Sequence, residues 1–326
     1  MNALIASLPG DGIGPEVMAA GLDVLQTIAD VFDHRFNIVS ARIGGSAIDH
    51  TGQALPQATK ALCQQADAVL LGAVGGPQWS GKERHQRPES GLLDLRAAMQ
   101  VYANLRPVKP HPIASQLSPL KSSYLKQVDL LVVRGLTGGL YFGDKQEGNN
   151  KAVDTCTYCD WEVQRVVHQA ARLARSRRGK VCLVDKANVL ATSRLWREVT
   201  QSIITQHYPD IELQLMLVDA AAMHLLSRPS QFDVILTENL FGDILTDEAS
   251  MLAGSMGLLP SASLGDQKCG LYEPIHGSAP DIAGENKANP YGMILSIALA
   301  LRHSLSLNTE ADWLETAVND CLSQQR

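Results

Sequence analysis

Two carboxylates stand four residues apart in the stretch TENLFGDILTDEAS, residues 237–250. A largely apolar run at 232–236 precedes it and predicts a buried strand. Asn239 is a good helix N-cap, so we predict a following helix with Asp243 and Asp247 on one face. Such a carboxylate pair near a helix start suits a hard divalent cation such as Mg²⁺ or Mn²⁺. Solvated carboxylates that complement the helix dipole are the alternative.

Three arginines stand at the ends of predicted elements: Arg96, Arg106 and Arg134. Arg134 directly follows an apolar run, where an unpaired buried charge would be costly unless an anion meets it. Arginine side chains grip carboxylates with two parallel hydrogen bonds, so converging arginines would suit a dicarboxylate. For each arginine alone, a surface ion pair is the alternative.

Further candidates for proton chemistry follow apolar runs. Lys186 comes directly after a predicted buried strand, and partial burial makes a lysine usable as a base. Asp219 ends the predicted strand 211–218 in the same manner, and Tyr141, in a glycine-rich segment after Arg134, could act as an acid.

Two segments are rich in glycine or other small residues. The turn GDGIGP at 10–15 has only part of a dinucleotide fingerprint, because Pro15 replaces the third glycine and no acidic residue closes a second strand. We therefore interpret it as a turn that lets backbone or ligand approach closely. The loop at 273–290 has backbone donors suited to an adenosine and its phosphates.

Short apolar runs alternate with helical periodicity, which predicts an α/β fold with a largely parallel sheet. Residues 78–89 are predicted as a loop, 257–288 as loop-rich, and the polar segment 144–151 as a projecting hairpin or arm. Strands are predicted at 4–8, 35–42, 68–71, 101–108, 128–133, 180–184, 211–218 and 232–236, and helices at 15–29, 56–64, 92–99, 160–177, 190–207, 220–226, 290–303 and 310–323.

The bulk composition is that of a globular protein, and 326 residues exceed the usual size of one domain. A net charge of −6 gives no support for nucleic-acid binding, and no apolar run predicts a membrane span. The N-terminus lacks a basic region, so we expect a first strand rather than a signal peptide. Six scattered cysteines favour a reducing cytoplasm, and one C-x-x-C, Cys156 and Cys159, does not by itself predict a metal or redox site.

Several motifs occur in order along nearly the whole chain. They include GDGIGPE (10–16), NLRP (104–107), LTGGLYFG (136–143), VDKANVL (184–190), NLFGDILTDEASMLAGSMG (239–257) and EPIHGSAPDIAG (273–284). Together these motifs resemble those of the metal-dependent decarboxylating β-hydroxyacid dehydrogenases, the isocitrate/isopropylmalate dehydrogenase family. The resemblance implies a two-domain α/β fold of that family, not a Rossmann fold. It also implies a cofactor-side domain of 1–101 plus 254–326, and a dimerisation, metal and substrate domain of 102–253 with an arm near 144–158.

The same resemblance implies a site shared between the subunits of a homodimer. Arg96, Arg106 and Arg134 would hold the substrate carboxylates, and Lys186 and Tyr141 would act as base and acid. Mg²⁺ or Mn²⁺ would be held by Asp219, Asp243 and Asp247. Lys186, Asn188, Val189 and Asp219 would come from the partner subunit. NAD would lie along Gly76, Glu89, Glu273, His276, Gly277, Ser278, Ala279, Asp281, Ile282 and Asn289.

Details of the motifs imply the substrate. Leu92 and Leu93 would form an apolar wall for an isopropyl group, and Asp281 would favour NAD over NADP. We expect oxidative decarboxylation of (2R,3S)-3-isopropylmalate to 4-methyl-2-oxopentanoate and CO₂, in leucine biosynthesis. The alternatives are homoisocitrate, an alkylmalate, tartrate or D-malate as substrate, or a catalytically weakened paralogue. The alternatives rest on three departures from the family pattern: Gly135 replaces a usual glutamate, Glu238 stands where a small residue is usual, and the chain stops after the helix at 310–323. The presence of Lys186, Tyr141 and the three aspartates speaks against the weakened paralogue.

Overall fold

The chain runs from a first α/β unit into a second and then returns to the first. In a computed structural model, which describes residues 1–81, 87–113 and 117–324, unit 1 comprises Met1–Val101 with Met256–Arg326, and unit 2 comprises Tyr102–Ser255. Within these described ranges, no helix is both long and apolar enough to cross a membrane.

Unit 1 is built on five strands in the spatial order β2-β1-β3-β12-β11. The pairs β1–β2, β1–β3 and β3–β12 are parallel, and β11–β12 is antiparallel. The strands are β1 (Asn2–Gly10), β2 (Arg35–Ser40), β3 (Ala68–Ala73), β11 (Pro260–Leu264) and β12 (Leu271–Pro274). The helices are α1 (Gly14–Phe32), α2 (Gly45–Thr51), α3 (Gln57–Gln65), α4 (Pro88–Ala98), α10 (Tyr291–His303) and α11 (Asn308–Ser323).

Unit 2 is built on strands in the order β4-β5-β10-β8-β9, where only β4–β5 is antiparallel. The strands are β4 (Ala103–Val108), β5 (Leu130–Gly135), β8 (Lys180–Asp185), β9 (Glu212–Leu217) and β10 (Val234–Thr237). The helices are α5 (Ser122–Leu125), α6 (Asp160–Arg175), α7 (Ala191–His207), α8 (Val218–Ser227) and α9 (Asn239–Ala253). The polar segment forms a two-stranded hairpin, β6 (Lys145–Glu147) with β7 (Ala152–Asp154).

The predicted α/β class and the largely parallel pairing are confirmed. Strands β5, β10 and β8 are largely apolar and buried. Because they pair in parallel, their carboxyl ends lie at the same edge of the sheet, and the polar residues that follow them begin at that edge.

The prediction that 257–288 is loop-rich is wrong in part, because β11 and β12 lie there. Strand β11 reads PSASL, and its buried serines and alanine carry no alternating apolar pattern that would reveal a strand. The seven-residue helix α2 was also missed, since it is too short to show a helical period.

Candidate active site

The N-cap of helix α9 lies one residue before the predicted one, so that the helix itself begins at Asn239. The N-cap is Glu238, whose Oε1 accepts a hydrogen bond from the Phe241 backbone N–H at 2.8 Å. The prediction of Asn239 as N-cap is wrong, because the Asn239 side chain is buried and committed to other partners. Glu238 Oε2 also accepts a hydrogen bond from Tyr158 Oη at 3.0 Å, so this carboxylate has a structural role at the helix start.

Arg134, at the end of β5, is only 2% exposed. Its Nε donates to Asn239 Oδ1 at 3.0 Å, and its Nη1 donates to Asp243 Oδ1 in a short hydrogen bond. Its guanidinium carbon lies 5.6 Å from the centre of the Tyr141 ring. The buried charge of Arg134 was expected to meet an anion, and within this chain that anion is the carboxylate of Asp243.

Arg106, on β4, faces the same helix. Its Nε donates to Asn104 Oδ1 at 2.9 Å, and its Nη1 donates to Thr246 Oγ1 at 2.6 Å. Its guanidinium nitrogens also lie 3.7 Å from Oδ1 of Asp243 and 3.7 Å from Oδ1 of Asp247. Two of the three predicted substrate arginines thus converge on the acidic face of α9.

Tyr141 completes this group, and we call Arg106, Arg134, Tyr141, Asp243 and Asp247 the α9 cluster. Tyr141 Oη donates to Asp243 Oδ2 at 2.7 Å. Burial, together with the hydrogen bond to Asp243 and its charge, raises the pKa of Tyr141 to about 12. The phenol therefore keeps its proton at neutral pH and is available as a donor.

The donor set of the α9 cluster fits a hard divalent cation. The side chains of Asp243 and Asp247 are 34% and 60% exposed, so solvent reaches both carboxylates. Burial raises the pKa of Asp247 and the neighbouring Asp243 adds to the rise, while Arg106 opposes it. A bound cation would relieve this repulsion through oxygen ligands, which Mg²⁺ and Mn²⁺ prefer. In the described part of the chain, no third His, Cys, Asp or Glu joins them.

Lys186 and Asp219 form a separate pair in the same unit. Lys186 follows β8, and its Nζ lies 2.6 Å from Oδ1 of Asp219. Asp219 lies in the first turn of α8 rather than at a strand end, because β9 stops at Leu217. The lysine contact, chiefly its hydrogen bond, lowers the pKa of Asp219.

Two residues shortly after Lys186 face solvent. Ala187 is buried, but Asn188 is exposed, and Val189 is 63% exposed although it is apolar. Asp185 fixes the start of this turn, since it accepts hydrogen bonds from the Ala187 backbone at 2.9 Å and from Arg197 at 2.7 and 2.8 Å. The buried Asp185 therefore fixes the backbone beside Lys186, whereas Asn188 and Val189 stay exposed.

In unit 1, the third arginine is already paired. Arg96 is buried on α4, and its Nη2 lies 2.7 Å from Oε1 of Glu273 on β12. This pairs a predicted substrate residue with a predicted cofactor residue within one chain. Leu92 and Leu93, on the same helix, are half-buried.

The predicted cofactor loop of unit 1 contains polar groups with and without partners. The carbonyl of Ser278 accepts the Ile13 N–H at 2.8 Å, and Asn289 Oδ1 accepts the N–H of Tyr291, the first residue of α10, at 3.0 Å. His276 Nε2 is buried and has no hydrogen-bond partner among the described residues. Burial lowers the pKa of His276, so its ring is neutral near pH 7. A buried orphan nitrogen in this loop fits a bound nucleotide.

The remaining predicted cofactor residues line the same loop or its neighbourhood. Gly277 and Asp281 are exposed, Ile282 is half-buried, and Ala279 has a left-handed φ of 36°. Gly76 lies after β3, and Glu89 lies in the first turn of α4. Their contacts with a cofactor stay predictions.

Tyr158 and Thr246 were missed at the sequence level. Tyr158 lies outside any helix or strand, and its Oη also accepts the Asn239 N–H at 3.1 Å. Thr246 lies three residues after Asp243, on the face of α9 that the aspartate spacing already marked. That spacing was the available signal for Thr246, whereas no local pattern identifies Tyr158.

Comparison with known proteins identifies the family. The profile described as isocitrate/isopropylmalate dehydrogenase matches residues 4–326. The chain belongs to this family. It is 56% identical to 3-isopropylmalate dehydrogenase from Anaeromyxobacter dehalogenans over 99% of this chain and 93% of that protein. The same-named enzyme from Bacillus subtilis is 53% identical over 99% of this chain and 90% of its own length.

A solved structure supports the same family. The isocitrate dehydrogenase from Methylococcus capsulatus superposes with a TM-score of 0.88 at 34% identity, which covers 99% of this chain and 91% of that one. The family's dehydrogenase fold therefore extends over nearly the whole chain.

Proposed function

We propose that this family member catalyses the NAD-dependent oxidative decarboxylation of (2R,3S)-3-isopropylmalate to 4-methyl-2-oxopentanoate and CO₂, in leucine biosynthesis. The observation that carries the proposal is the α9 cluster, where two buried arginines, two solvent-reaching carboxylates and a protonated tyrosine converge. The identity to relatives named for this substrate supports the choice of substrate.

Arg106 and Arg134 are assigned to the substrate carboxylates. Neutral oxygens of Asn104, Thr246 and Asn239 orient their guanidinium groups, so the charges are fixed before substrate arrives. We assign Arg96 the same role and assign Leu92 and Leu93 to the isopropyl group, because both leucines are only half-buried.

Asp243 and Asp247, together with Asp219, would hold Mg²⁺ or Mn²⁺. When bound, the metal supplies a Lewis acid that polarises the substrate oxygens and stabilises developing negative charge. Since Asp219 does not join the other two within the described part of the chain, we assign it to the second chain of a homodimer.

Two side chains move protons in this proposal. Lys186, also from the second chain, takes the proton of the substrate hydroxyl directly or through water. Tyr141 returns a proton to the enol that remains after CO₂ leaves, and its raised pKa keeps that proton available. Asn188 and Val189 accompany Lys186 into the shared site.

Unit 1 is proposed as the cofactor side. NAD⁺, when bound, accepts the hydride equivalent from the substrate. The 276–289 loop would bind NAD⁺ together with Gly76, Glu89 and Glu273. Asp281 would accept hydrogen bonds from the ribose hydroxyls and repel a 2′-phosphate.

Unit 2 is proposed as the dimerisation side. Apolar side chains are exposed on two adjacent helices: Met223 and Leu226 on α8, and Ile244 and Met251 on α9. Exposed apolar side chains on adjacent helices support a protein interface there, and the β6–β7 hairpin would serve as an intersubunit arm. The six unpaired cysteines support a reducing, cytoplasmic location.

A second candidate keeps the chemistry and changes the substrate. The family usually has a glutamate at the position of Gly135, beside Arg134, so this chain lacks a carboxylate there. The Trp196 ring occupies the adjoining space, and a Cβ added to Gly135 would lie 2.9 Å from Trp196 Cη2. This difference beside Arg134 favours another 3-substituted malate such as homoisocitrate, an alkylmalate, tartrate or D-malate. The half-buried Leu92 and Leu93 favour an apolar substituent.

A substrate panel tests the proposal. Purified protein with Mn²⁺ and NAD⁺ should reduce NAD⁺ fastest with 3-isopropylmalate, compared with isocitrate, homoisocitrate, D-malate and tartrate, and EDTA should abolish the rate. Faster turnover of another substrate would support the second candidate. No turnover with any of them would contradict both.

A further inference from the structure

The glycine-rich turn after β1 has no part in the chemistry proposed above, yet it holds a buried charge. Asp11 is only 4% exposed. Its Oδ2 accepts backbone N–H groups from Gly45 at 2.8 Å and Gly75 at 2.9 Å, and its Oδ1 accepts that of Ser46 at 2.7 Å. One carboxylate thus fastens the start of α2 and the loop after β3 to the end of β1.

The backbone of the same turn makes two further contacts. The N–H of Asp11 donates to the carbonyl of Ala73 at 2.8 Å, and the N–H of Ile13 donates to the carbonyl of Ser278 at 2.8 Å. Gly12 has a φ of 58°, and a Cβ there would lie 1.9 Å from the Ser278 oxygen. Glycine is therefore required where the turn meets the 275–279 loop.

Removal of the Asp11 carboxylate would leave three backbone N–H groups without their acceptor in a buried place, which is costly. The loops that carry these N–H groups are expected to move, because movement lets the N–H groups find water or another acceptor. One of these loops continues from Gly75 into Gly76, and the turn itself holds Ser278. Gly76 and Ser278 are both assigned to NAD⁺ above.

We propose that Asp11 is a positioning residue for the NAD⁺ site, holding the loop at 73–77 and the turn that carries the 275–279 loop in their binding arrangement. Asp11 acts through backbone N–H groups and does not itself contact the cofactor. The inference rests on the proposed function for the identity of the cofactor.

Two substitutions of graded severity test the role. Asp11→Asn keeps one acceptor oxygen and the side-chain size, whereas Asp11→Ala removes every acceptor. The dissociation constant of NAD⁺, measured by calorimetry on the intact protein, should rise by about tenfold for Asn and further for Ala. In steady state, KM for NAD⁺ should rise similarly, while kcat at saturating NAD⁺ and KM for 3-isopropylmalate should stay within about threefold.

Asp67 supplies a matched control. Its Oδ2 accepts the Leu4 N–H at 2.7 Å, so it is also a carboxylate that fastens β1, but near the opposite end of that strand. Asp67→Asn should leave the NAD⁺ dissociation constant unchanged. An equal loss in both variants would indicate general destabilisation and overturn the proposal.

Other outcomes separate this inference from the proposed function. An unchanged NAD⁺ dissociation constant in Asp11→Asn would overturn the positioning role, as would a parallel change in kcat and both KM values. If Asp11→Ala does not fold, the Asn variant carries the test alone. Failure of the wild-type protein to turn over 3-isopropylmalate would contradict the proposed function, but calorimetry with NAD⁺ would still decide the role of Asp11.

Discussion

The α9 cluster and the Lys186–Asp219 pair lie in the same unit but differ in how completely the chain surrounds them. In the α9 cluster, Arg134 is buried and each carboxylate faces arginine. Lys186 and Asp219 contact each other, with side chains 29% and 63% exposed, beside the uncovered Val189. The α9 cluster is held by contacts within its own chain, whereas the Lys186–Asp219 pair is the more exposed of the two groups.

This difference bears on the proposed metal site. Asp243 and Asp247 lie close together on α9, and in the described part of the chain no third aspartate joins them. A second chain that brings Asp219 and Lys186 would supply both the missing ligand and the missing base. The exposed apolar residues on α8 and α9 provide a surface through which a second chain could dock.

The largest effect is expected within the α9 cluster. Asp243→Asn should lower kcat/KM by about a thousandfold or more, because it weakens metal binding and the contacts of Arg134 and Tyr141 together. Steady-state NAD⁺ reduction across a Mn²⁺ titration measures this loss. Asp210→Asn breaks an exposed ion pair with Arg175 and should leave the rate unchanged. A similar loss of activity in Asp210→Asn would contradict the assignment of the α9 cluster to the active site.

A smaller loss of activity is expected for a substitution in the Lys186–Asp219 pair. Lys186→Met should lower kcat by about a hundredfold to a thousandfold, with little change in KM, since it removes the proposed base and leaves the arginines in place. Lys180 provides the control, because it lies at the other end of β8 in an exposed ion pair with Glu212. Lys180→Met should retain wild-type kcat. A rise in KM alone for Lys186→Met would assign Lys186 to binding.

The acid of the α9 cluster should contribute less than the base. Tyr141→Phe should lower kcat by about tenfold to a hundredfold while the ring remains over Arg134. Because the pKa of Tyr141 is about 12 in the folded protein, the acid form persists through the whole neutral range. The pH profile of wild-type kcat should therefore show no alkaline fall due to Tyr141 below about pH 10. An alkaline fall that disappears in the Phe variant would contradict this.

The smallest effect on catalysis is expected for a substitution at Gly135, next to Arg134 of the α9 cluster. Gly135→Ala would place a Cβ 2.9 Å from Trp196, so it should lower the free energy of unfolding by about 1–3 kcal/mol and change kcat little. Urea unfolding of Gly135→Ala beside Gly81→Ala, whose Cβ would lie within 4 Å of no other group among the described residues, measures the difference. An unchanged stability would show that the Trp196 ring moves aside freely.

The sequence predicted those features that follow from local pattern. The four-residue spacing placed Asp243 and Asp247 on one helix face, and the apolar run before Arg134 indicated a buried charge that needs an anion. The alternation of short apolar runs with helical periodicity predicted the α/β class, and the family resemblance, now confirmed, predicted which α/β fold it is.

Other features depend on contacts between distant residues. The choice of Glu238 over Asn239 as N-cap depends on Tyr158 and Arg134, which lie about eighty to a hundred positions away and show no local signal. The ion pair of Arg96 with Glu273 and the three bonds of Asp11 likewise exist only once the sheet of unit 1 has formed.

Complementation between two inactive variants tests most directly whether the two regions belong to different chains of one site. Lys186→Met and Asp243→Asn proteins, unfolded and refolded together, should form heterodimers in which one of the two sites has every native residue. The mixture should recover about a quarter of wild-type activity, the statistical value for random pairing. Lys186→Met mixed with Asp219→Asn should recover none, because both residues come from the same chain. Activity of the first mixture no greater than the sum of the separate variants would contradict the shared site.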